Sequence, residues 1–546
     1  MSTDRKYLFY FLGSSIIITI IYWLAGFFEI GLLSDDYLNF YQAVNSTFWD
    51  KILGKYPLTQ MSHVRTIFFL SLDLSSFKHS VLNFSYDNFL FYKIQNLLLL
   101  FLSAYFFGKS MLIKTKHLSI SVLMAIAVCV FPNGIINICW TVGRVDLISC
   151  LFLSLIIYNT FMYIERSDKI NFISIIIVFT LALFTKETAL IFPVVIGLLV
   201  FFNYNKSELA KLKGLFYYIL ILMIVYLVIR VVFLRGNVFQ TLSMFQEFPF
   251  ANAPGVYARS LISLTLPFDY LSLQLNFRNK DFFLILYLVS LYSAVFYLFY
   301  FMIKNDNYKY FTALVLIGAV SVSPYLFAGY FRPNLALITF CLMFFQIIIA
   351  YDTLSSFTIK LNKLLLRTLC VVVVLLWVYY SVDIISQWKY AYSESKIRID
   401  NLLAKDIQQS RETYVVGNPG RFKQAYLFDK LTGAYNFWKY KSFVVKDTLN
   451  DAIQTGALDE ASLNSIIQVN KTGEHYYEIT ATGATQYFYI EGRDFRNMSS
   501  GFRNALIEAE FFDFDVFNKP KRLKIKILSP SVELYVSQGL DYVKLN

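Results

Sequence analysis

Charge is scarce in this chain. Only 16% of its 546 residues are Asp, Glu, Lys or Arg, against 57% hydrophobic, and mean hydropathy is +0.52. A soluble protein of this length could not hide that much apolar surface in ordinary domains. Histidine is scarcer still: there are four, scattered without metal-ligand spacing, so no cofactor or metal site is called for, and metal dependence stays open. The five cysteines (Cys129, Cys139, Cys150, Cys341 and Cys370) all lie in or beside apolar runs. They read as small buried hydrophobes, not as a disulfide framework or a zinc site. The polar C-terminal third has no cysteine at all, so an oxidising compartment would find nothing there to staple. Internal repeats and low-complexity linkers are also missing. The net charge of +12 does not mark a nucleic-acid partner, because many basic residues sit in short loops between apolar runs, where the positive-inside rule puts them.

What the chain has in quantity is apolar and aromatic: 55 Phe and 40 Tyr, residue types suited to lipid-facing and interfacial positions. Eleven apolar runs can be read, at 7–28, 89–107, 118–136, 147–163, 172–184, 190–202, 215–234, 282–303, 311–326, 335–351 and 364–382. A full span needs about 20 residues. The fifth and sixth runs are shorter, roughly 20 Å each at helical rise, and Lys186-Glu187 divides them. They are either a tight helix pair or one long helix with a buried ion pair. Loop charge favours the pair: with the N-terminus inside, the short inner loops carry Lys109/Lys114/Lys116, Arg166/Lys169, Lys206/Lys211/Lys213, Lys304/Lys309 and Lys360/Lys363. The long loops 29–88 and 235–281 then lie outside, as does the C-terminal segment. The first run is too long for a cleaved signal peptide, and no small-residue cleavage site follows it.

The expected fold is therefore an α-helical polytopic membrane protein with about 11 transmembrane helices, over residues 1–384, and a small C-terminal mixed α/β extracytoplasmic domain over 385–546. In that second domain 414–416, 442–445, 476–480, 486–491 and 523–528 read as short strands. Residues 449–468 read as helical, with Asp459 a candidate N-cap. The outer loop 29–88 is rich in aromatics around His63–Leu70 and 77–86, a composition suited to helices lying in the membrane interface.

Candidate chemistry gathers at the outer ends of the apolar runs. Asp35 and Asp36 stand side by side just after the first run, in Ile30-Gly-Leu-Leu-Ser-Asp-Asp-Tyr-Leu-Asn39. Two adjacent carboxylates there are costly; the plain alternative is that Ser34 or Asp35 caps the next helix. Val64-Arg65-Thr66 follows about 30 residues later. Phe91-Tyr-Lys-Ile-Gln-Asn-Leu opens the second run, Trp140-Thr-Val-Gly-Arg-Val-Asp-Leu-Ile148 the fourth, and Phe184-Thr-Lys-Glu-Thr-Ala-Leu-Ile-Phe-Pro193 crosses the tip between the fifth and sixth.

In order and placement these segments resemble the GT-C-type membrane glycosyltransferases, most nearly the polyprenyl-phosphate-sugar-dependent branch that includes the protein O-mannosyltransferases. Gly143-Arg144-x-Asp146-Leu147 and Lys186-Glu187-Thr188-Ala189 are the most specific pieces. The resemblance covers roughly residues 1–230. Departures are Thr66 in place of the family proline, Tyr92 where histidine is usual, and no following tetratricopeptide repeats. The last of these puts the type of acceptor in doubt.

The resemblance implies a lipid-phosphate-linked sugar donor and a glycan, lipid or protein acceptor. It implies transfer on the outer side of a bacterial inner membrane. A base must take a proton from the acceptor hydroxyl, and Asp35 supported by Asp36 fits, since like charge and desolvation raise a carboxylate pKa. Cations must hold the departing phosphate: Arg144, Lys186 and Arg332 are the candidates, with Arg65 and Arg259 weaker. Asp146 could orient sugar or acceptor, and Glu187 accompanies Lys186. The plainer alternatives are an Asp146–Arg144 pair, an internal Lys186–Glu187 pair and interfacial snorkelling of Arg332. Arg144, Lys186 and Arg332 are expected to converge on one outer-face cavity with Asp35 at its edge. A transporter, flippase or O-antigen-polymerase-like protein is the competing class; a transporter would be expected to show inverted repeats and proline- or glycine-broken helices, which the sequence does not clearly display. A non-catalytic membrane scaffold would leave the aligned outer-face charges unexplained.

Overall fold

The computed structural model describes residues 2–53, 55–56, 65–81, 89–233, 253–267, 281–304, 308–328, 331–355, 360–405, 407, 412–423, 425–428, 431–441, 445–446, 449–450, 453–490, 502–514 and 519–545. The expectations for His63 and Val64, for the aromatic stretch 82–86, for most of loop 235–281 and for a strand at 442–444 lie outside the described residues. In chain order the helices are α1 (Thr3–Leu24), α2 (Asp36–Asn45), α3 (Phe48–Leu53), α4 (Thr66–Val81), α5 (Leu90–Thr115), α6 (Leu118–Val130), α7 (Pro132–Cys139), α8 (Arg144–Arg166), α9 (Lys169–Leu183), α10 (Phe192–Asn203), α11 (Lys206–Lys211), α12 (Lys213–Phe233), α13 (Ala253–Thr265), α14 (Phe282–Lys304), α15 (Tyr308–Ala328), α16 (Ala336–Ser355), α17 (Lys360–Leu403), α18 (Leu431–Tyr440) and α19 (Glu460–Leu463). The chain divides into two units. One comprises Met1–Phe27, Asn45–Phe77 and Leu90–Ile385; the other comprises Phe28–Val44, Lys78–Phe89 and Ser386–Asn546.

The first unit is helical. Over the described residues each apolar run is largely helical. Among the described residues, six segments are long and apolar enough to cross a membrane: Thr3–Leu24, Leu90–Thr115, Thr141–Arg166, Tyr308–Leu326, Pro333–Thr353 and Thr368–Leu403. A seventh forms if α6 and α7, bent by 55°, count as one span. The apolar helices α9 and α10 are shorter than that standard, as are the stretches Lys213–Ile229 of α12 and Phe282–Tyr297 of α14. Among the described residues, six or seven of the eleven expected runs thus meet that standard by length and composition. Between α9 and α10 the chain breaks at Phe184–Lys186 and makes a 3-10 turn over Glu187–Ile191, so the fifth and sixth runs are a tight pair rather than one helix.

The run 118–136 is not one helix either. Pro132 has no N–H to give and forces the preceding residue out of the helical region; Phe131 is accordingly extended, at φ −66° and ψ 114°. The carbonyls stranded at the break find hydroxyls instead: Tyr22 Oη donates to Cys129 O at 2.8 Å and Ser381 Oγ to Val130 O at 3.0 Å. Unsatisfied backbone is untenable inside a bilayer, and side-chain hydroxyls are one way a broken helix survives there. A proline-broken helix is therefore present, which the sequence reading did not recognise.

Of the basic residues expected in inner loops, Lys109, Lys114, Lys116 and Lys211 each find a partner in this unit. Lys109 pairs with Asp4 at 2.7 Å and Lys116 with Glu165 at 2.5 Å. Lys211 donates to Ile164 O at 2.7 Å, and Lys114 sits over the Tyr204 ring at 3.8 Å.

The second unit is rich in strands: β1 (Glu412–Val416), β2 (Asn418–Phe422), β3 (Ala425–Tyr426), β4 (Leu449–Asn450), β5 (Ile453–Ala457), β6 (Ile467–Gly473), β7 (Tyr476–Ala481), β8 (Tyr487–Ile490), β9 (Phe502–Arg503), β10 (Ile507–Phe514), β11 (Pro520–Ile527), β12 (Val532–Gln538) and β13 (Asp541–Lys544). They form three sheets, ordered β13-β12-β1-β4, β6-β7-β11-β10-β9 and β3-β2-β5-β8. In the first, β1 runs parallel to both β12 and β4; the five-stranded sheet is antiparallel throughout. The alternation of β7 and β11 turns Tyr477, Ile479, Leu523 and Ile525 into a core shared with Tyr414, Val416, Phe488, Leu534 and Val536.

Residues 449–468 are not helical as expected. Ile453–Ala457 is a central strand between β2 and β8, where sheet pairing outweighs the helical reading of the segment. Helix survives only in α19, and there Asp459 does cap it: its carboxylate accepts from the Ser462 N–H at 2.7 Å. At the C-terminal end of α17, Arg398 is buried and donates to Ser537 Oγ at 3.3 Å, Leu463 O at 3.2 Å and Asn464 Oδ1 at 2.9 Å. One guanidinium thereby joins the helix to β12 and to the end of α19.

Candidate active site

Within the first unit the candidate residues meet at the ends of helices. Gly143 ends the 3-10 turn Thr141–Gly143 that leads into α8. A Cβ there would stand 2.6 Å from the backbone of Asn137, so only glycine lets the turn lie on α7. That close approach fixes the direction in which α8 starts, and with it Arg144 and Asp146 on its first turn.

Arg144 is 1% exposed. Its Nε donates to Asn96 Oδ1 at 2.9 Å, Nη1 to Ser75 Oγ at 2.7 Å and to Ser71 O at 3.2 Å, and Nη2 to Tyr92 O at 3.4 Å. Asn96 in turn donates through Nδ2 to Asn137 O and Trp140 O, both at 3.3 Å. The guanidinium braces α4, α5 and α8 against one another, and most of its fork is spent on protein acceptors.

Asp146 does not pair with Arg144. It accepts from Lys186 Nζ, both side chains being almost fully buried, and Lys186 Nζ also faces the Tyr325 ring at 5.9 Å. Glu187, rather than closing on Lys186, lies 3.9 Å from the guanidinium of Arg65. The segment that starts α4 is laced to this tip by the Ile67 N–H, which donates to Phe184 O at 3.1 Å. Two ion pairs, Lys186–Asp146 and Arg65–Glu187, thus replace the two pairings between sequence neighbours. A pair this buried costs desolvation that its Coulomb attraction only partly returns, so it is poor evidence for stability alone. Arg332 is exposed and precedes the turn Pro333–Leu335. That turn is tied to α7 through Asn137 Nδ2, which donates to Asn334 O at 2.8 Å. Arg259 is half-buried on α13.

The acidic pair belongs to the second unit. Ser34 takes a left-handed conformation, φ 58°, and its N–H donates to Leu427 O at 3.0 Å. Asp35 immediately precedes α2, and its carbonyl accepts from the Asn39 N–H at 3.0 Å and Asn39 Nδ2 at 2.9 Å. The two carboxylates differ in kind. Asp36 is fully buried and accepts from the Leu33 N–H at 3.0 Å, so it fastens the turn that precedes the helix. The side chain of Asp35 is half-buried. Tyr37 Oη donates to Leu32 O at 2.9 Å and accepts from Trp438 Nε1 at 3.1 Å, which packs α2 against α18.

No family model and no characterised protein matches the chain in sequence. Among solved structures it is similar to ArnT from Cupriavidus metallidurans in the apo state. The identity is 11%, over 86% of this chain and 96% of that chain, with a TM-score of 0.39. A likeness at that level carries no argument about fold or activity.

Several residues of the cluster were not singled out from sequence. Lys93 is fully buried and donates to Cys139 O, the last carbonyl of α7, where a cation complements the helix dipole. The signal was visible: a lysine inside an apolar run, three residues before Asn96. Ser75, Asn137 and Asn334 gave no such signal, because nothing local marks a hydroxyl as the acceptor of a guanidinium 69 positions away, or a carbonyl as the acceptor of an amide 197 positions away.

Proposed function

We propose that the chain is an integral-membrane glycosyltransferase of the GT-C type, transferring a sugar from a polyprenyl-phosphate donor to an acceptor hydroxyl on the outer side of a bacterial inner membrane, with residues 385–546 on that side. The observation that carries this reading is the buried Lys186–Asp146 pair with Arg144 on the same helical turn as Asp146. These residues come from the two segments that bear the resemblance, and charges buried in a bilayer-crossing unit are expensive unless chemistry retains them.

Each group takes a role from its own surroundings. Asp35 is the base: it is half-buried, while Asp36 is occupied with the Leu33 N–H. The acceptor oxygen bonds to the anomeric carbon, the bond from that carbon to the phosphate oxygen breaks, and polyprenyl phosphate leaves with its electron pair. The hydroxyl proton passes to the Asp35 carboxylate. Lys186, Arg65 and Arg332 supply positive charge to the departing phosphate. Arg144, its fork largely spent, is a positioning residue; Asp146 and Glu187 set Lys186 and Arg65 in place. The test is mass spectrometry of cell-envelope glycans from cells carrying the wild-type protein, Asp35→Asn or no protein. The reading requires the Asp35→Asn cells to match the deletion.

One observation favours a second reading, a transporter or flippase: the helix broken at Pro132, a device common in transporters. On that reading Asp35→Asn leaves the covalent structure of every envelope glycan unchanged, and only the distribution of a lipid-linked glycan across the membrane shifts.

A further inference from the structure

We propose that the lysine-rich end of α18 and the facing part of α17 form a docking surface for an acidic polysaccharide, a glycan carrying repeated carboxylate or phosphate groups. Four ammonium groups lie over three neighbouring rings. Lys396 and Lys441 both face Trp438, at 5.4 and 4.3 Å from its centroid. Lys446 and Lys439 face Tyr440, at 4.6 and 5.4 Å, and Lys439 is 5.2 Å from Tyr435 as well. The arrangement is held from below. Phe437 and Trp438 are buried against Tyr37, and the Lys446 N–H is tied to Asn436 Oδ1 at 2.8 Å.

What separates this surface from an ordinary solvated face is the lack of compensation. Among the described residues Lys396, Lys441 and Lys446 are exposed and make no ion pair. Of the carboxylates nearest in sequence, Glu394 is buried and turned towards Arg398 at 3.9 Å, Asp400 is exposed one turn beyond Lys396, and Asp447, next to Lys446, lies outside the described residues. Ring faces orient ammonium groups at little cost, but three like charges that no ion pair neutralises repel one another. A polyanion relieves that repulsion and gains from all of them together. The bilayer surface is the poorer partner. Lys396 stands 14 residues beyond Val382, the last residue of the apolar run, which is roughly 20 Å along a continuous helix. A headgroup layer is only about 5–8 Å thick. A glycan projecting from the membrane reaches that height; a lipid headgroup does not.

The surface also lies on the helix packed against the Asp35 segment, within the same unit. That the bound glycan is the acceptor rests on the transferase reading; the docking itself does not. The test uses the full-length protein in a neutral detergent and a carboxylated probe, a ten-residue oligogalacturonate, with neutral dextran of equal length as control. Wild type binds the oligogalacturonate, less tightly as salt rises, and the dextran not at all. The triple variant Lys396→Gln/Lys441→Gln/Lys446→Gln loses on the order of tenfold or more in affinity, with thermal unfolding unchanged because all three side chains are exposed. Equal affinity of wild type and triple variant for the probe overturns the proposal. So does equal binding of dextran, or binding by the triple-sensitive surface to phosphatidylglycerol nanodiscs but not to the probe. Asp35→Asn separates the two readings: it keeps probe binding in every case, and only the loss of transfer depends on the catalytic assignment.

Discussion

At the scale of single residues, the two members of the acidic pair should behave differently. Asn caps a helix about as well as Asp, so Asp35→Asn is expected to leave the protein folded while lowering sugar transfer by roughly 10²–10⁴-fold, the usual worth of a general base. Transfer at the normal rate by this variant would make the pair structural. Asp36→Ala removes the acceptor of the buried Leu33 N–H and should cost about 1–3 kcal/mol, read as a lower unfolding midpoint in mixed micelles. A sharper contrast is available at Lys186. Lys186→Met leaves the Asp146 carboxylate buried without its partner and should destabilise the protein by about 3–5 kcal/mol; Lys186→Met/Asp146→Leu should recover most of that. No recovery in the double variant would mean that the pair is not the coupled unit its contact indicates. Sequence reading picks out Lys186, Asp146, Arg65 and Glu187 one by one and offers Asp146–Arg144 and Lys186–Glu187 as the plain pairings; the ion pairs are instead Lys186–Asp146 and Arg65–Glu187. Spacing along the chain proposes adjacent partners, whereas helix ends from 65, 146 and 186 meet only after folding.

At the scale of elements, the apolar helices were the most legible part of the chain, because a bilayer-spanning run writes itself in composition. The break in run 118–136 was not read, although Pro132 was in plain view. A proline tells that the helix must yield; it does not tell that Tyr22 and Ser381 stand ready to take the stranded carbonyls. Tyr22→Phe is expected to cost about 0.5–1.5 kcal/mol, with no change in the apolar contacts of the ring. The strands at 414–416, 476–480 and 523–528 were legible as alternating runs, while β5 was mistaken for helix, since Ile-Gln-Thr-Gly-Ala takes its pairing from β2 and β8. The cap of α19 was legible and makes a pH prediction. Burial pushes the Asp459 carboxyl up, but hydrogen bonds from the Thr485 hydroxyl and from the Ser462 N–H and hydroxyl outweigh it and hold the pKa below the usual carboxylate value. A depressed folded-state pKa contributes stability above the unfolded value, about 3.9, and loses it as pH falls through the folded value. Asp459→Asn should therefore flatten the decline of stability below about pH 4. An unaltered acid limb would assign that decline to other carboxylates.

At the scale of the whole molecule, the sequence divides near 384, whereas the folded chain assigns 28–44 and 78–89 to the unit that contains the C-terminal residues. Hydropathy sees where apolar runs stop; it does not see that Ser34 joins Leu427 or that Tyr37 joins Trp438, contacts that cross some 400 positions. The orientation is open to direct test. A reporter fused after residue 400 should be active only if it works outside the cytoplasm; a cytoplasmic signal would reverse the assigned topology. The broken helix also has a consequence for how the chain is made. As α6 and α7 leave the ribosome, the Cys129 carbonyl can already find Tyr22, but the partner of the Val130 carbonyl is Ser381, 251 positions downstream. Until α17 has been synthesised and inserted, one peptide oxygen of the bend lacks its native hydroxyl. Nascent chains ending before that helix should accordingly be poor lodgers in the bilayer, retained by insertion chaperones and cleared by membrane proteases. Faster turnover of chains truncated before α17 than of the full-length chain, measured by pulse-chase, is the expected outcome; equal turnover would mean that the Ser381 hydroxyl is not needed to hold the bend.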